Sequence, residues 1–245
     1  MDFQKEIINM FEFIKKYFKK RNKKKFRKCI NSLPLKERFS KIYAINYWGN
    51  SESLSGKGST VEHTEKLREF LPYIFKKYKV GIVFDAPCGD FNWMRLVVDK
   101  LDVNYLGADI VPELIKNNKQ NYQTEKISFI EMDLTKDLFP NADLMICRDC
   151  LFHLSFEDTK KLLKNFLDSN IEYLLTTTYA NKSLFVNTDI ISGHFRLIDL
   201  TISPYNFPSS PLEMIEDWKF PDHKRFMYLW SRQQVKSAIE NFNTL

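Results

Sequence analysis

Glycine is scarce in this chain, with seven in 245 residues, and that scarcity excludes a common reading of an α/β sequence. A dinucleotide-binding turn needs three closely spaced glycines so that the backbone can approach a pyrophosphate. The turn Asp85-Ala86-Pro87-Cys88-Gly89-Asp90-Phe91 has one, with Pro87 and Phe91 where the others would stand and Asp90 placed to repel a phosphate. A ligand held by this turn is therefore expected to carry no phosphate. No apolar run is long enough to span a membrane. No signal-peptide pattern is visible, and the four cysteines, Cys29, Cys88, Cys147 and Cys150, lack metal-ligand spacing. Cys147 and Cys150 read as buried thiols, so a reducing cytoplasm is the expectation.

What is present fits one α/β domain with a full core. Hydrophobic residues at 44% and charged residues at 28% are ordinary for a globular protein. The net charge of +6 is uneven: residues 1–30 hold eleven Lys and Arg against three acids, leaving the remainder slightly negative. Within a basic N-terminal arm, 1–37, Phe3, Ile7, Phe11, Ile14 and Phe18 share one face of a helix, and the bases follow this stripe. Such a helix can lie on an anionic membrane surface or dock on the domain or on a second copy of the chain. Bases that follow the stripe instead of flanking it favour docking. Nucleic-acid binding is not expected, since the charge is confined to the arm and no reader motif accompanies it.

From 38 onward the chain reads as one domain. Strands are expected at about 81–85, 104–109, 127–131, 143–147 and 171–178, with helices at about 92–101, 111–120 and 156–168. This alternation predicts a doubly wound parallel sheet. Residues 39–59 read as a loop, the part over 47–59 holding three glycines and four serines as a candidate lid, and a helix is expected to start near Thr60. Residues 180–223 read as an insertion before a last strand, Arg225-Phe226-Met227-Tyr228-Leu229-Trp230. Asp85 and Asp109, twenty-four residues apart, each end a strand. That spacing lets the second acid take both hydroxyls of a ribose, which points to an adenosine ligand.

Asp85-Ala86-Pro87-Cys88-Gly89-Asp90, Gly107-Ala108-Asp109-Ile110, Met132-Asp133-Leu134 and Asp143 through Asp149 together resemble the class I S-adenosylmethionine-dependent methyltransferases. Tyr47-Trp48-Gly49, Glu52 through Gly56, Asn92-Trp93-Met94, Arg148 through Ser155 and Asn187-Thr188-Asp189-Ile190 resemble, more narrowly, methyltransferases encoded among bacterial capsule and surface-polysaccharide genes. The resemblance implies a seven-stranded, mostly parallel Rossmann-like sheet with an antiparallel last strand, and S-adenosylmethionine as donor. It implies donor contacts from Asp85, Pro87, Gly89, Asp109, Ile110, Asp133, Leu134, Ser59 and Arg148, with Arg68 a partner for the donor carboxylate. It places Trp48, Asn92 and Trp93 on the acceptor side.

Past the fourth strand, His153 has an ordinary pKa near neutrality, which suits it to accept a hydroxyl proton. Asp149, four residues earlier, can orient it if the segment is helical, or be the base itself. Asn187, Asp189, His194 and Arg196 in the insertion offer acceptors and a cation for a polyhydroxyl acceptor bearing a phosphate or carboxylate. Asp149, His153, Asp189 and His194 can also be assembled into a divalent-metal site, but the spacing does not demand one and no metal is assigned. The activity that the resemblance implies is O-methylation of a sugar, as a nucleotide-activated sugar such as a heptose, in capsular polysaccharide biosynthesis; the alternatives are a phosphoramidate, amine or other small-molecule acceptor, or a non-catalytic donor-binding partner subunit.

Overall fold

The computed structural model describes residues 24–179 and 184–242. The aromatic stripe from Phe3 to Phe18 lies outside the described residues. Seven strands form one sheet in the order β3-β2-β1-β4-β5-β7-β6. They are β1 (Ile82–Asp85), β2 (Asn104–Asp109), β3 (Ile127–Glu131), β4 (Leu144–Cys147), β5 (Tyr173–Tyr179), β6 (Glu213–Glu216) and β7 (Arg225–Ser231). The first five pair in parallel, while β7 runs antiparallel to both β5 and β6.

Successive strand residues point to opposite faces, and both faces are covered. Val83, Leu144, Ile146 and Leu175 pack with α3 (Glu65–Lys77) and α5 (Pro112–Tyr122) through Leu67, Leu71, Ile74, Leu114 and Ile115. Phe84, Met145, Cys147 and Leu174 pack on the other side with α6 (Phe156–Asp168) and α7 (Arg232–Glu240) through Leu162, Phe166, Val235 and Ala238. Two-sided burial is why these strands read as continuous apolar runs. The Ser155 hydroxyl caps α6 by accepting from the Asp158 amide at 3.1 Å, and Ser231 with Gln234 forms a capping box on α7.

Several elements depart from the sequence expectations. Residues 39–44 are not loop: α1, helical over 24–31, is followed by α2 (Leu35–Ala44). Arg38 fastens both to the domain, donating to the carbonyls of Ile30, Asn31, Leu33 and Ser192. The helix expected at 92–101 keeps only α4 (Arg95–Val98) as regular α-helix, and α3 starts at Glu65 with Thr64 as its N-cap, later than Thr60. Strand β6 and helix α7 were not anticipated.

Among the described residues no helix is long and apolar enough to cross a membrane.

Candidate active site

The strand order reverses between β1 and β4, and a cavity of about 450 Å³ opens at the carboxyl ends of the strands there. This is the position at which open α/β sheets bind ligands. Its floor comes from Asp85, Pro87, Cys88 and Gly89 after β1, Asp109 and Ile110 after β2, and Asp133 and Leu134 after β3. Its far wall holds Trp93, Arg148, Asp149 and His153 with His194 from the insertion, and Trp48 and Ser59 come from the loop above.

Gly89 has φ of 57°, and a Cβ there would meet the Ser55 hydroxyl at 2.3 Å. A side chain would thus break both the left-handed turn and the approach of the loop above it. That loop is latched to the turn: the Asp90 carboxylate accepts from the Ser53 hydroxyl at 3.0 Å and the Leu54 amide at 2.8 Å, while the Asp90 amide donates to Ser55 Oγ. The acid that would repel a phosphate is therefore spent on this loop. Asn92 belongs to the same latch, donating to Glu52 and to the Ser59 carbonyl; it does not line the cavity as an acceptor contact would.

Asp85 and Asp109 are buried in the cavity floor. Burial pushes the Asp85 carboxyl up to about 7 against a hydrogen bond from the Tyr105 hydroxyl and the field of Arg148. Burial likewise raises Asp109 to about 6, although it accepts from the amides of Val111 and Gly89. Two carboxyls held this way suit a ligand that brings hydroxyl donors and a positive charge. Asp133 differs: burial would raise it, but its bonds to Thr135 and Lys136 hold it below its ordinary value.

The raised Asp85 makes a testable statement about stability. Its folded pKa exceeds the unfolded one, so its contribution is full below about pH 4 and is lost as pH rises through about 7. Asp85→Asn, which can still accept from Tyr105, is expected to raise the melting temperature of the ligand-free protein by several degrees at pH 8. The gain should shrink as pH falls towards 4; a gain independent of pH would contradict the assignment.

Beside His153 lies a buried four-charge network. Arg148 clamps Asp217 with Nε at 2.9 Å and Nη2 at 3.0 Å, and Nη2 also donates to the Gly58 carbonyl. Arg225 bridges Asp217 at 3.2 Å and Asp149 at 2.8 Å. Burial would raise the Asp149 pKa, but Arg148 and Arg225 hold it below the ordinary carboxylate value, which makes it a weak base. Asp149 has φ of 54°, fixed by its amide donating to Thr177 Oγ1 at 2.8 Å. Strained backbone of this kind persists only where surroundings over-determine it.

Asp149 does not orient His153 as the helical reading supposed. Residues Leu151–His153 form a 3-10 turn, and the His153 imidazole bonds through Nδ1 to the His194 carbonyl at 2.7 Å. A carbonyl only accepts, so Nδ1 carries the proton and Nε2 keeps its lone pair. Burial lowers the His153 pKa, which keeps the ring neutral near pH 7. Trp48 packs on it with ring centres 5.6 Å apart.

Residues 83–169 match the family described as a methyltransferase domain. This stretch is a methyltransferase domain, and the protein is an S-adenosylmethionine-dependent methyltransferase. No curated protein matches the sequence. Among solved structures the methyltransferase is similar to magnesium protoporphyrin IX methyltransferase (ChlM) from Synechocystis PCC 6803 with bound SAH. That match has 13% identity over 79% of this chain and 96% of that one, with a TM-score of 0.58. It is also similar to human N-acetylserotonin methyltransferase in complex with SAM, at 19% identity over 82% of this chain and 60% of that one, TM-score 0.50. The methyltransferase domain of bacterial CtHen1 matches at 14% identity, over 69% and 98% of the respective chains, TM-score 0.51. At such identities the likeness establishes the fold, and it leaves the acceptor of this methyltransferase to be argued from its own residues.

Five residues assigned to donor or acceptor stand outside the cavity wall, Asn92 in the latch being one. Arg68 donates to Thr64 Oγ1 and to the Val61 carbonyl, tying the start of α3. Asn187 braces its loop, bonding the backbone of Asp199 and Ser203. Asp189 accepts from the amides of Phe156 and Ile190, and Arg196, buried over the Phe156 ring, donates to Asp189, Thr188 and Tyr205. These bonds tie the insertion to itself and to the start of α6, and among the described residues Asp149, His153, Asp189 and His194 form no group that could hold a metal ion. Conversely, Leu35, Phe39 and Tyr43 of α2, Tyr179 and Arg225 line the cavity unforeseen. The four-residue steps of Leu35, Phe39 and Tyr43 were a visible helical signal.

Proposed function

We propose that this methyltransferase transfers the methyl group to a hydroxyl of a sugar, presented as a nucleotide-activated precursor for capsular or related surface polysaccharide. The carrying observation is the His153 tautomer: an imidazole with its Nδ1 proton committed to the His194 carbonyl, its Nε2 free, and its ring in the cavity wall. A hydroxyl needs its proton removed as it attacks, and a neutral imidazole is the fitting group. The sugar itself is supported by the sequence resemblance.

In this reading Asp109 accepts from the ribose hydroxyls, Asp85 organises the turn near the donor amino group, and Ile110 and Leu134 pack on the adenine, with Asp133 beside it. Bound there, S-adenosylmethionine supplies a methyl group activated by sulfonium charge. His153 Nε2 takes the acceptor proton, while Arg148 and Asp149, rigidly paired, hold the wall and Trp48 offers an aromatic face. Incubation with S-adenosylmethionine and a panel of nucleotide-linked sugars tests the reading, by S-adenosylhomocysteine release and product mass. A sugar heavier by one methylene supports it; methylation confined to amine acceptors overturns it.

A further inference from the structure

The cavity has two ends of opposite charge. Its floor holds Asp85, Asp109 and Asp133, whereas its mouth is bordered by α1, where Arg27 lines the cavity while remaining exposed and donates to the Tyr47 hydroxyl at 3.2 Å. Lys24, Arg27, Lys28 and Asn31 recur at helical spacing and share one face of that helix. This face is joined to the reacting centre by a short chain of bonds. Asn31 Oδ1 meets His194 Nε2 at 2.8 Å, and the His194 carbonyl holds His153 Nδ1 at 2.7 Å. Among the described residues no acid pairs with Lys24, Arg27 or Lys28, unlike Lys57, Lys66 and Lys126, each of which has a carboxylate partner. Burial and the field of Arg27 and Arg38 lower the His194 pKa, consistent with positive potential at this mouth. The Arg196 cation expected to meet an acidic acceptor is spent inside the insertion, so the anion-binding role falls to α1.

We infer that Lys24, Arg27 and Lys28 bind the phosphate groups of the acceptor, holding a phosphate-bearing sugar at the cavity mouth with its hydroxyl directed to His153. This deepens the sugar reading above and rests on it for the identity of the hydroxyl carrier. Continuity with the cavity through Arg27 favours a soluble phosphoester over a lipid surface.

The test is calorimetric titration of the full chain, loaded with S-adenosylhomocysteine, with uridine diphosphate, guanosine diphosphate and inorganic pyrophosphate. The Lys24→Gln/Arg27→Gln/Lys28→Gln variant and a Lys164→Gln control on α6 are titrated alongside, and thermal unfolding checks that each folds. Charge-assisted contacts of this kind predict that the triple variant weakens diphosphate binding at least about tenfold, with the control unaffected. Absence of diphosphate binding at low salt, or binding equal in the triple variant, overturns the inference. So does sedimentation with phosphatidylglycerol vesicles that needs these three residues when soluble diphosphates do not bind. Binding is read without turnover, so an empty sugar screen and a failed titration are separate results.

Discussion

His153→Ala is expected to lower kcat for O-methyl transfer about 10²- to 10⁴-fold, the usual contribution of a positioned general base. The donor KM should change little, because the imidazole is bonded to the insertion and not to the donor floor. The pH profile gives the second readout. Wild-type kcat should fall on the acid side with an apparent pKa below that of a free imidazole, since burial disfavours the charged ring. The residual rate of the variant should lack that limb. A fall in kcat of less than about fivefold would remove His153 from the mechanism and leave a nucleophile needing no base.

Asp109→Ala is expected to weaken S-adenosylhomocysteine binding by at least about a hundredfold. Hydrogen bonds to a charged group contribute about 1.5–3 kcal/mol each, and a carboxylate facing two ribose hydroxyls makes two of them. The same carboxylate accepts from the Gly89 and Val111 amides, so its loss also loosens the turn beneath the donor. Calorimetric titration measures the change. Asp189→Ala is the matched control: that acid ties the insertion to the start of α6, outside the cavity, and should leave donor affinity within about twofold. Equal losses in the two variants would show a general effect of destabilisation.

The parallel half of the molecule was legible because its strands are buried on both faces and end in acids. Leu144–Cys147 is apolar throughout, and Asp85 and Asp109 close β1 and β2. The antiparallel edge was not. Strand β6 buries only Ile215 among four residues, too little for a periodic signal. Helix α7 begins at the last residues of a strand, so its Ser231 capping box is read as the end of β7 unless the periodicity of Val235 and Ala238 is followed past it. The insertion misled for a different reason. Asn and Asp side chains serve turns and caps as readily as ligands: Asn187 is occupied by backbone, and one Asp189 oxygen takes two backbone amides and Arg196. Nor does sequence distance reveal that Asp217 and Arg225 complete the charges around Arg148 and Asp149.

The described residues of the insertion, although they fill most of the chain between β5 and β6, give the cavity wall only Gly193, His194 and Phe195. The charged bridge is anchored at Asp217, near the end of the insertion, and at Arg225 beyond it. On the proposed reading, the carbonyl that aims the base and the acids that hold the donor therefore sit on separate pieces of chain. If that reading holds, an exchange of the insertion re-aims His153 through the residue at 194 while leaving Asp85 and Asp109 of the cavity floor untouched.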